Sequence, residues 1–297
     1  MIGGNVPKHL VVAARTGFLS SMRAQSYPWQ QVASTLNMDA RTIDLVDLGA
    51  PPMPVNDAAV VQDHIEKTIQ VEAKEWNISV WISDGAVKDD QTGQLEMRVR
   101  AAGDNFQKHI NKRVFQVLNA GDGTTYGSCY DGQGFFDSDH VDKGASYTTN
   151  QDNEGALALS LDNFNDSWIA ARKFRDDQGE FTEYNYDLLV VPPDLWTVAR
   201  NITGNLEAMD TANREQNPFS GLLKPPVSSP HLDTTAWYLI ASSEMHKPLI
   251  VAMREQPHLQ HAWFDPQQPD GGRHYFKFYA RYEVFYGDWR LAYQGNT

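Results

Sequence analysis

The sequence predicts an α+β fold, because long helical and long strand patterns occupy separate parts of the chain. Apolar residues recur every three or four positions between Gln91 and Leu118, which is typical of one long amphipathic helix. Apolar and polar residues alternate across Thr68–Ser83 and again across Tyr275–Tyr286, as in strands with one buried face. With 297 residues and 41% hydrophobic content, the chain is long enough to bury a large core.

The first 41 residues show no sustained periodicity apart from a short helical pattern at Thr16–Ala24. A helix followed by a connector is the simplest interpretation of this segment. Polar chain termini are usually disordered unless another element holds them.

Residues 42–83 are predicted to form a long hairpin. Thr42–Leu48 is the first strand, the proline-containing Gly49–Asp57 is loop, and Thr68–Ser83 is the return strand, with a bulge near Glu75. The return strand would extend about 50 Å, whereas ordinary strands have roughly 5–6 residues. It must curl strongly or leave the globule. Two shorter strands within one sheet are the alternative.

The predicted helix Gln91–Leu118 would be about 42 Å long. The acidic pair Asp89 and Asp90 suits its N-terminus, and Gly121 suits its C-terminal stop. Its apolar stripe comprises Leu95, Val99, Ala102, Phe106, Ile110, Val114 and Val117.

The remaining chain predicts shorter elements separated by loops. Residues 121–155 predict loops with a short hairpin near Gly134–Phe136. Helices are predicted at Leu161–Arg175 and Asp194–Ile202, and strands at Tyr186–Val191, Trp237–Ala241, Leu249–Arg254 and Tyr275–Tyr286. In the last strand, one face would carry Phe276, Phe278, Ala280, Tyr282, Val284 and Tyr286.

Composition excludes several classes of protein. The formal charge of −13 and pI near 5.0 argue against a surface that coats nucleic acid, which needs a basic stripe. The single cysteine, Cys129, excludes an internal disulfide and fits a reducing cytoplasm. No apolar run approaches the roughly 20 residues that cross a bilayer, so we expect no membrane association and no secretory signal.

An acidic cluster offers the best candidate metal site in the sequence. It comprises Asp137, Asp139, His140 and Asp142. Its oxygen-rich character would suit a hard cation such as calcium, but the spacing of an EF-hand loop and its terminal glutamate are missing. A solvated turn is the simpler interpretation.

Other chemical motifs are incomplete. His258 and His261 have no cysteine pair or acidic ligand at a zinc-like spacing. The glycine-rich Gly121–Ser128 lacks the Lys-Ser/Thr pair of a phosphate-binding loop, and no GxSxG nucleophile motif is present. Cys129 is interpreted as a buried structural thiol. We therefore expect no catalytic residue, no cofactor and no metal.

Four segments carry a family resemblance: DGQGFFDSDH (Asp131–His140), VVPPDLWTVAR (Val190–Arg200), NPFSGLL (Asn217–Leu223) and YARYEVFYGDWRLAY (Tyr279–Tyr293). In this order they resemble the major head subunit of Mu-like phages, the gpT family of tailed-bacteriophage capsid proteins. The order of hairpin and then long helix upstream is similar to that family as well.

The resemblance implies the Hong Kong 97-type major capsid protein fold. Its parts would be an N-terminal arm (1–41), an E-loop hairpin (42–83), a peripheral domain with a spine helix (84–149), an axial domain (150–271) and peripheral return strands (272–297). In such capsid proteins the E-loop reaches over the adjacent subunit. The candidate inter-subunit contacts are then Trp76, Ile78, Trp81 and Trp289.

The implied function is assembly into pentamers and hexamers of an icosahedral shell, which encloses double-stranded DNA without sequence-specific binding. The implied partners are further copies of the chain, a separate scaffold protein and a portal, with a decoration protein as an optional addition. The shell would form in the host bacterial cytoplasm and become the virion capsid. Two alternatives stay open: an encapsulin-like nanocompartment, and an unrelated soluble hydrolase that uses the Asp137–His140 cluster.

Overall fold

The computed structural model describes residues 16–18, 20, 26–38, 42–45, 67–83, 94–141, 147–204, 217–264 and 272–297. The helices in these ranges are α1 (Trp29–Val32), α2 (Gln94–Asn119), α3 (Leu161–Ala171) and α4 (Trp196–Gly204), with 3-10 turns at Pro193–Leu195 and Trp289–Leu291. The strands are β1 (Ala33–Asn37), β2 (Thr42–Leu45), β3 (Lys67–Gln70), β4 (Lys74–Ser83), β5 (Glu154–Gly155), β6 (Leu188–Val191), β7 (Val227–Ser228), β8 (Trp237–Ile240), β9 (Leu249–Phe264), β10 (Arg273–Tyr286) and β11 (Ala292–Gly295).

The strands form three sheets. A four-stranded sheet has the order β1-β9-β10-β4, in which β10 is antiparallel to both neighbours and β1 is parallel to β9. A five-stranded sheet has the order β5-β11-β8-β6-β7, and β2 and β3 form a separate antiparallel pair. Strand β10 belongs to the four-stranded sheet and β11, the next strand along the chain, belongs to the five-stranded sheet.

Helix α2 packs on β9 and β10 of the four-stranded sheet. Its 26 residues span about 39 Å, and its bounds agree with the predicted helix to within three residues. The predicted stripe is confirmed where the side chains are described, since Ala102, Phe106, Ile110, Val114 and Val117 are all buried. The side chains of Leu95 and Val99 lie outside the described set.

Strand β10 confirms the predicted alternation. Each residue of its predicted apolar face is at most 1% exposed, namely Phe276, Phe278, Ala280, Tyr282, Val284 and Tyr286. The hydroxyl of Tyr286 donates to the carbonyl oxygen of Val117 at 3.0 Å, which fastens the end of α2 to the sheet.

Strand β9 is longer than the predicted Leu249–Arg254, because a bulge lets it continue past a proline. Tyr279 pairs with His258 and Arg281 with Glu255, so Gln256 and Pro257 together lie opposite one residue of β10. A proline has no N–H for the ladder and is tolerated at such a bulge.

The predicted return strand Thr68–Ser83 is wrong as a single element. It is divided into β3 and β4 by Val71–Ala73, and the two parts belong to different sheets. Val71 is buried in a small apolar cluster with Met38, Ile250, Ala252 and Phe285. Residues 71–73 belong to neither strand. Residues 46–66 of the predicted hairpin lie outside the described ranges.

The five-stranded sheet is flanked by α3, which packs on β11, and by α4, which packs on β6. Every residue of β6 and β8 is fully buried, as the continuous apolar runs predict. Helix α3 ends at Ala171 rather than at Arg175. The turn that follows is closed by Asp176, whose carboxylate accepts from the backbone amides of Gln178 and Glu180.

The hairpin predicted near Gly134–Phe136 is absent from the described residues, and this segment instead fills the core. Phe135 stacks on Tyr286 with ring centroids 4.9 Å apart, and the Phe136 amide donates to the Gly121 carbonyl at 2.9 Å. Gly121 is required there, because an added Cβ would lie 2.6 Å from the Phe136 ring.

The N-terminal region contributes to the main core. Thr16–Phe18 is helical, which agrees with the start of the predicted Thr16–Ala24; residues 21–25 lie outside the described ranges. Phe18 is fully buried and stacks on Phe278 at 4.7 Å. Strand β1, which the sequence did not predict, adds a parallel edge to β9.

Candidate assembly surfaces

Strand β4 pairs with β10 and so holds residues 69–78, which we call the hairpin base, on the main sheet. Trp76 is half-buried, donates from its indole N–H to the Tyr282 carbonyl at 3.1 Å, and lies 4.3 Å from the His109 ring. Ile78 packs partly buried against the main core. These two predicted contact residues therefore use much of their surface inside their own chain.

Trp81 lies on the opposite face of β4 and is 49% exposed. Its ring stacks 4.6 Å from that of Tyr275 on β10, whose hydroxyl is 2.8 Å from the Ser79 hydroxyl. We call these three residues the outer aromatic patch. Of the four residues that the sequence suggested as contacts, Trp81 offers the most accessible apolar surface.

Trp289 has no exposed surface in a single chain. Its ring lies parallel to that of His140 at 4.3 Å, and Phe174 meets it edge-on at 5.3 Å. A side chain enclosed in this way stabilises its own core, so Trp289 is not available as an inter-subunit contact in this conformation.

The interpretation of the Asp137–Asp142 cluster as a solvated turn is wrong for His140, which is completely buried. Its Nδ1 lies 2.5 Å from the Asp131 carboxylate and its Nε2 lies 3.2 Å from the Asn153 side-chain oxygen. Asn153 in turn donates to the carbonyls of Phe135 and Trp289. The network joins three loops around Trp289, and nothing in the local sequence pattern signals it.

Within the described ranges, no group of three or more His, Cys, Asp and Glu side chains could hold a metal ion. Asp142 lies outside those ranges. None of the described helices is long and apolar enough to span a bilayer.

An ionic junction joins the hairpin base, α2 and β10. The Arg113 guanidinium contacts Glu283 through two nitrogens, each 2.9 Å from the same carboxylate oxygen. The Lys74 ammonium lies 3.0 Å from this carboxylate. Glu283 is shielded from water while Lys74 is largely exposed, so the Arg113 contact is the stronger one.

A histidine lies beside this junction. His109 on α2 has its Nδ1 2.5 Å from the Tyr282 hydroxyl. Burial lowers the pKa of His109, and the positive charges of Arg113 and Lys112 lower it further. The imidazole is therefore neutral at pH 7 and forms a hydrogen bond with the tyrosine hydroxyl.

An open cavity of about 570 Å³ lies between the hairpin base and the end of β10. Ile69, Val71 and Phe285 form apolar parts of its wall, and the Glu283 and Arg113 pair lies in its polar part. The wall thus combines apolar side chains with a charged pair.

The five-stranded sheet region presents its own exposed apolar side chains, which the sequence analysis did not single out. They are Ile169, Phe181, Trp196, Leu222 and Met245. Leu222 is 66% and Met245 is 81% exposed, and each lies in a loop. The pattern in the sequence that could have identified them is an apolar residue flanked by turn residues.

The loops that carry Leu222 and Met245 are held together by a buried carboxylate. Lys224 lies 2.7 Å from Asp187 and donates to the hydroxyls of Ser242 and Ser243 at 2.7 and 2.8 Å. Burial alone would raise the pKa of Asp187, but the hydrogen bonds from Lys224 and the two serines outweigh burial and hold the pKa below its ordinary value.

The chain matches a known sequence family. A model of the phage capsid protein family matches residues 66–294, which is more than half of the chain. A comparison with curated protein sequences finds no match.

Solved shell proteins share the fold. A virus-like particle from Pyrococcus furiosus is 8% identical with a TM-score of 0.53, covering 96% of this chain and 98% of that one. The capsid of bacteriophage JBD30, decorated with minor capsid protein trimers, is 19% identical with a TM-score of 0.54, covering 70% and 92%. The capsid of an empty GTA particle is 14% identical with a TM-score of 0.54, covering 92% and 90%. The predicted Hong Kong 97-like fold is thereby confirmed.

Proposed function

The chain belongs to the phage capsid protein family and is a major capsid protein with the Hong Kong 97-like fold, and we propose from this premise how its copies assemble. The copies form pentamers and hexamers, which close into an icosahedral shell around double-stranded DNA. The family match over residues 66–294 is the observation that supports this proposal most strongly.

The hairpin (residues 42–83) makes the contacts that link neighbouring copies. Among the described residues, β2 and β3 pair only with each other, whereas β4 is built into the main sheet. The Trp76 indole N–H bonds to the Tyr282 carbonyl and thereby holds β4 on the main sheet, and the Arg113–Glu283 pair lies beside Lys74 at the start of β4. The outer aromatic patch beside it gives a neighbouring copy an apolar surface, with Trp81 as the main contact residue.

The remaining parts follow the same scheme. We assign residues 1–41 to an N-terminal arm, 42–83 to the E-loop hairpin, 84–149 and 272–297 to the peripheral domain, and 150–271 to the axial domain. The four motifs between Asp131 and Tyr293 support membership of the Mu-like gpT group.

Further partners are proposed for assembly. A separate scaffold protein and a portal guide closure in the host cytoplasm, and no residue of the chain takes a catalytic role. The similar JBD30 capsid is decorated with minor capsid protein trimers, which favours a decoration protein as an added partner here. The net charge of −13 suits a shell that contains DNA without binding it tightly.

Shortening the hairpin tests whether it links neighbouring copies. Replacing residues 47–66 by a short Gly-Ser turn leaves β2, β3 and the buried Val71 in place. We expect folded subunits and capsomers that fail to make closed shells, because the contact over the neighbouring copy is lost. Negative-stain imaging and size-exclusion chromatography measure this. Normal closed particles from the shortened chain would contradict the role of the hairpin.

An encapsulin-like compartment is the second candidate, favoured by the similarity to a virus-like particle over 96% of this chain. The contents of purified particles separate the two proposals. Double-stranded DNA inside the particles supports the phage head, and a co-purifying enzyme cargo supports the compartment.

A further inference from the structure

Two histidines meet on neighbouring strands of the four-stranded sheet. His261 on β9 and His274 on β10 have Nε2 and Nδ1, respectively, 3.3 Å apart, with ring planes 25° apart. We propose that these two imidazoles form a binding site for a divalent transition-metal ion, with zinc as the reference ion. The sequence analysis missed the site because the partner of His261 lies 13 residues further on, on the neighbouring strand β10.

The separation of the two nitrogens fits a shared ion. Zinc–nitrogen bonds of about 2.0–2.1 Å at a tetrahedral angle place the two nitrogens about 3.4 Å apart. The observed 3.3 Å is close to this value and longer than the usual hydrogen-bond distance. The spacing of the two nitrogens therefore matches that of two ligands of one ion.

The chemistry of both rings suits a metal of intermediate softness. Imidazole nitrogens are ligands that suit zinc and copper. When the ion takes His261 Nε2 and His274 Nδ1, the ring proton of each coordinating imidazole lies on its other nitrogen.

The surroundings of the two histidines determine how an ion reaches them and what completes its coordination. His274 is 2% exposed while His261 is half-buried, so the ion is reached from the His261 side. The Phe276 ring lies 4.8 Å from the His261 ring and supplies an apolar wall. Because no third His, Cys, Asp or Glu joins them within the described residues, water completes the coordination. The bound ion would be exchangeable, and it would clip β9 to β10.

His258 provides a matched control. It lies on the same strand as His261, but it pairs with Tyr279 on the other face of the sheet, away from His274. Removing this imidazole therefore changes the histidine count without touching the proposed ligands.

Zinc titration of the metal-stripped full-length protein tests the proposal. We compare the unaltered chain with His261→Gln, His274→Gln and His258→Gln, using calorimetry and competition with a chromogenic chelator. The unaltered chain and His258→Gln should bind one more equivalent of zinc than the other two, or bind it at least about tenfold more tightly, since two tethered ligands act together. Equal binding by all four chains would overturn the site and leave a hydrogen bond only.

Copper(II) substitution gives a second measurement that needs no folded variant. Pulsed electron paramagnetic resonance of the unaltered protein, loaded with one equivalent of copper(II), counts the coordinated imidazoles. Two equivalent imidazoles support the site, and one or none overturns it. Zinc should also raise the midpoint of thermal unfolding of the unaltered chain more than that of His261→Gln.

Discussion

Asp187 is the residue on which two loops of the five-stranded sheet converge. Its carboxylate accepts from the Ser242 amide at 2.9 Å and from the Ser243 hydroxyl, and Lys224 completes the set. All of these donors favour the ionised form, which is why the pKa is lowered despite burial. The carboxylate thus positions the loops that display Leu222 and Met245.

Asp187→Asn should lower the free energy of unfolding by about 1–3 kcal/mol at pH 7. Because the folded pKa lies below the ordinary 3.8, the stabilisation is complete above that value and is lost as the pH falls through the folded pKa. Denaturant unfolding at several pH values measures this, with the exposed Asp166→Asn as control. A difference between Asp187→Asn and the unaltered chain that stays constant down to pH 2 would contradict the prediction.

The burial and the contacts of individual side chains were the least predictable aspect of the structure. The sequence suggested an exposed role for both His140 and Trp289, yet the two rings stack in the core. Their burial depends on Asp131 and Asn153, which approach from separate loops. Local pattern holds no information on such contacts, because no periodicity links loop residues to their partners.

At the scale of elements, the outer face of β4 and β10 is the clearest candidate for contact between copies. Trp81 and Tyr275 are direct cross-strand neighbours. Such a pair contributes only about 0.2–1 kcal/mol within one chain, whereas a tryptophan at the centre of an interface contributes about 2 kcal/mol or more.

Trp81→Ser should therefore leave the thermal unfolding of the isolated subunit nearly unchanged, but raise the concentration needed for shell assembly at least about tenfold. Light scattering against subunit concentration measures assembly. Asn77→Ser, at an exposed position on the same face of β4, is the control. If Trp81→Ser assembles at the concentration of the unaltered chain, Trp81 is not a contact residue.

Elements with a sustained period were predictable. Helix α2 and strand β10 match their predicted bounds closely, because each buries one long apolar face, from Ala102 onward in α2 and from Phe276 to Tyr286 in β10. The break at Val71 and the extension of β9 past Pro257 were not predictable, since each depends on a distant segment. Strand β1 is the same case, because it pairs with β9, which lies far along the chain.

At the scale of the whole molecule, electrostatic repulsion between copies opposes the apolar contacts that favour their association. Each copy carries a formal charge of −13, so copies repel at low ionic strength, and the range of repulsion shortens from about 10 Å at 0.1 M salt to about 3 Å at 1 M. The exposed aromatic and aliphatic side chains gain from association at any salt concentration.

Raising sodium chloride from about 0.05 M to 0.5 M should therefore lower the subunit concentration at which shells form. Sedimentation or light scattering at fixed pH measures this. Shells that dissolve as the salt rises would show that ion pairs between copies, rather than apolar contacts, dominate assembly.

The central place of β10 also sets the timing of folding. This strand pairs with β4 on one side and β9 on the other, and it covers α2. A growing chain in which β10 has not yet left the ribosome lacks the strand that joins β4 to β9, and α2 lacks one of the two strands on which it packs. Apolar surface then stays exposed, which favours aggregation. We therefore expect the main sheet, and with it a copy competent to join a shell, to form only after β10 has been synthesised.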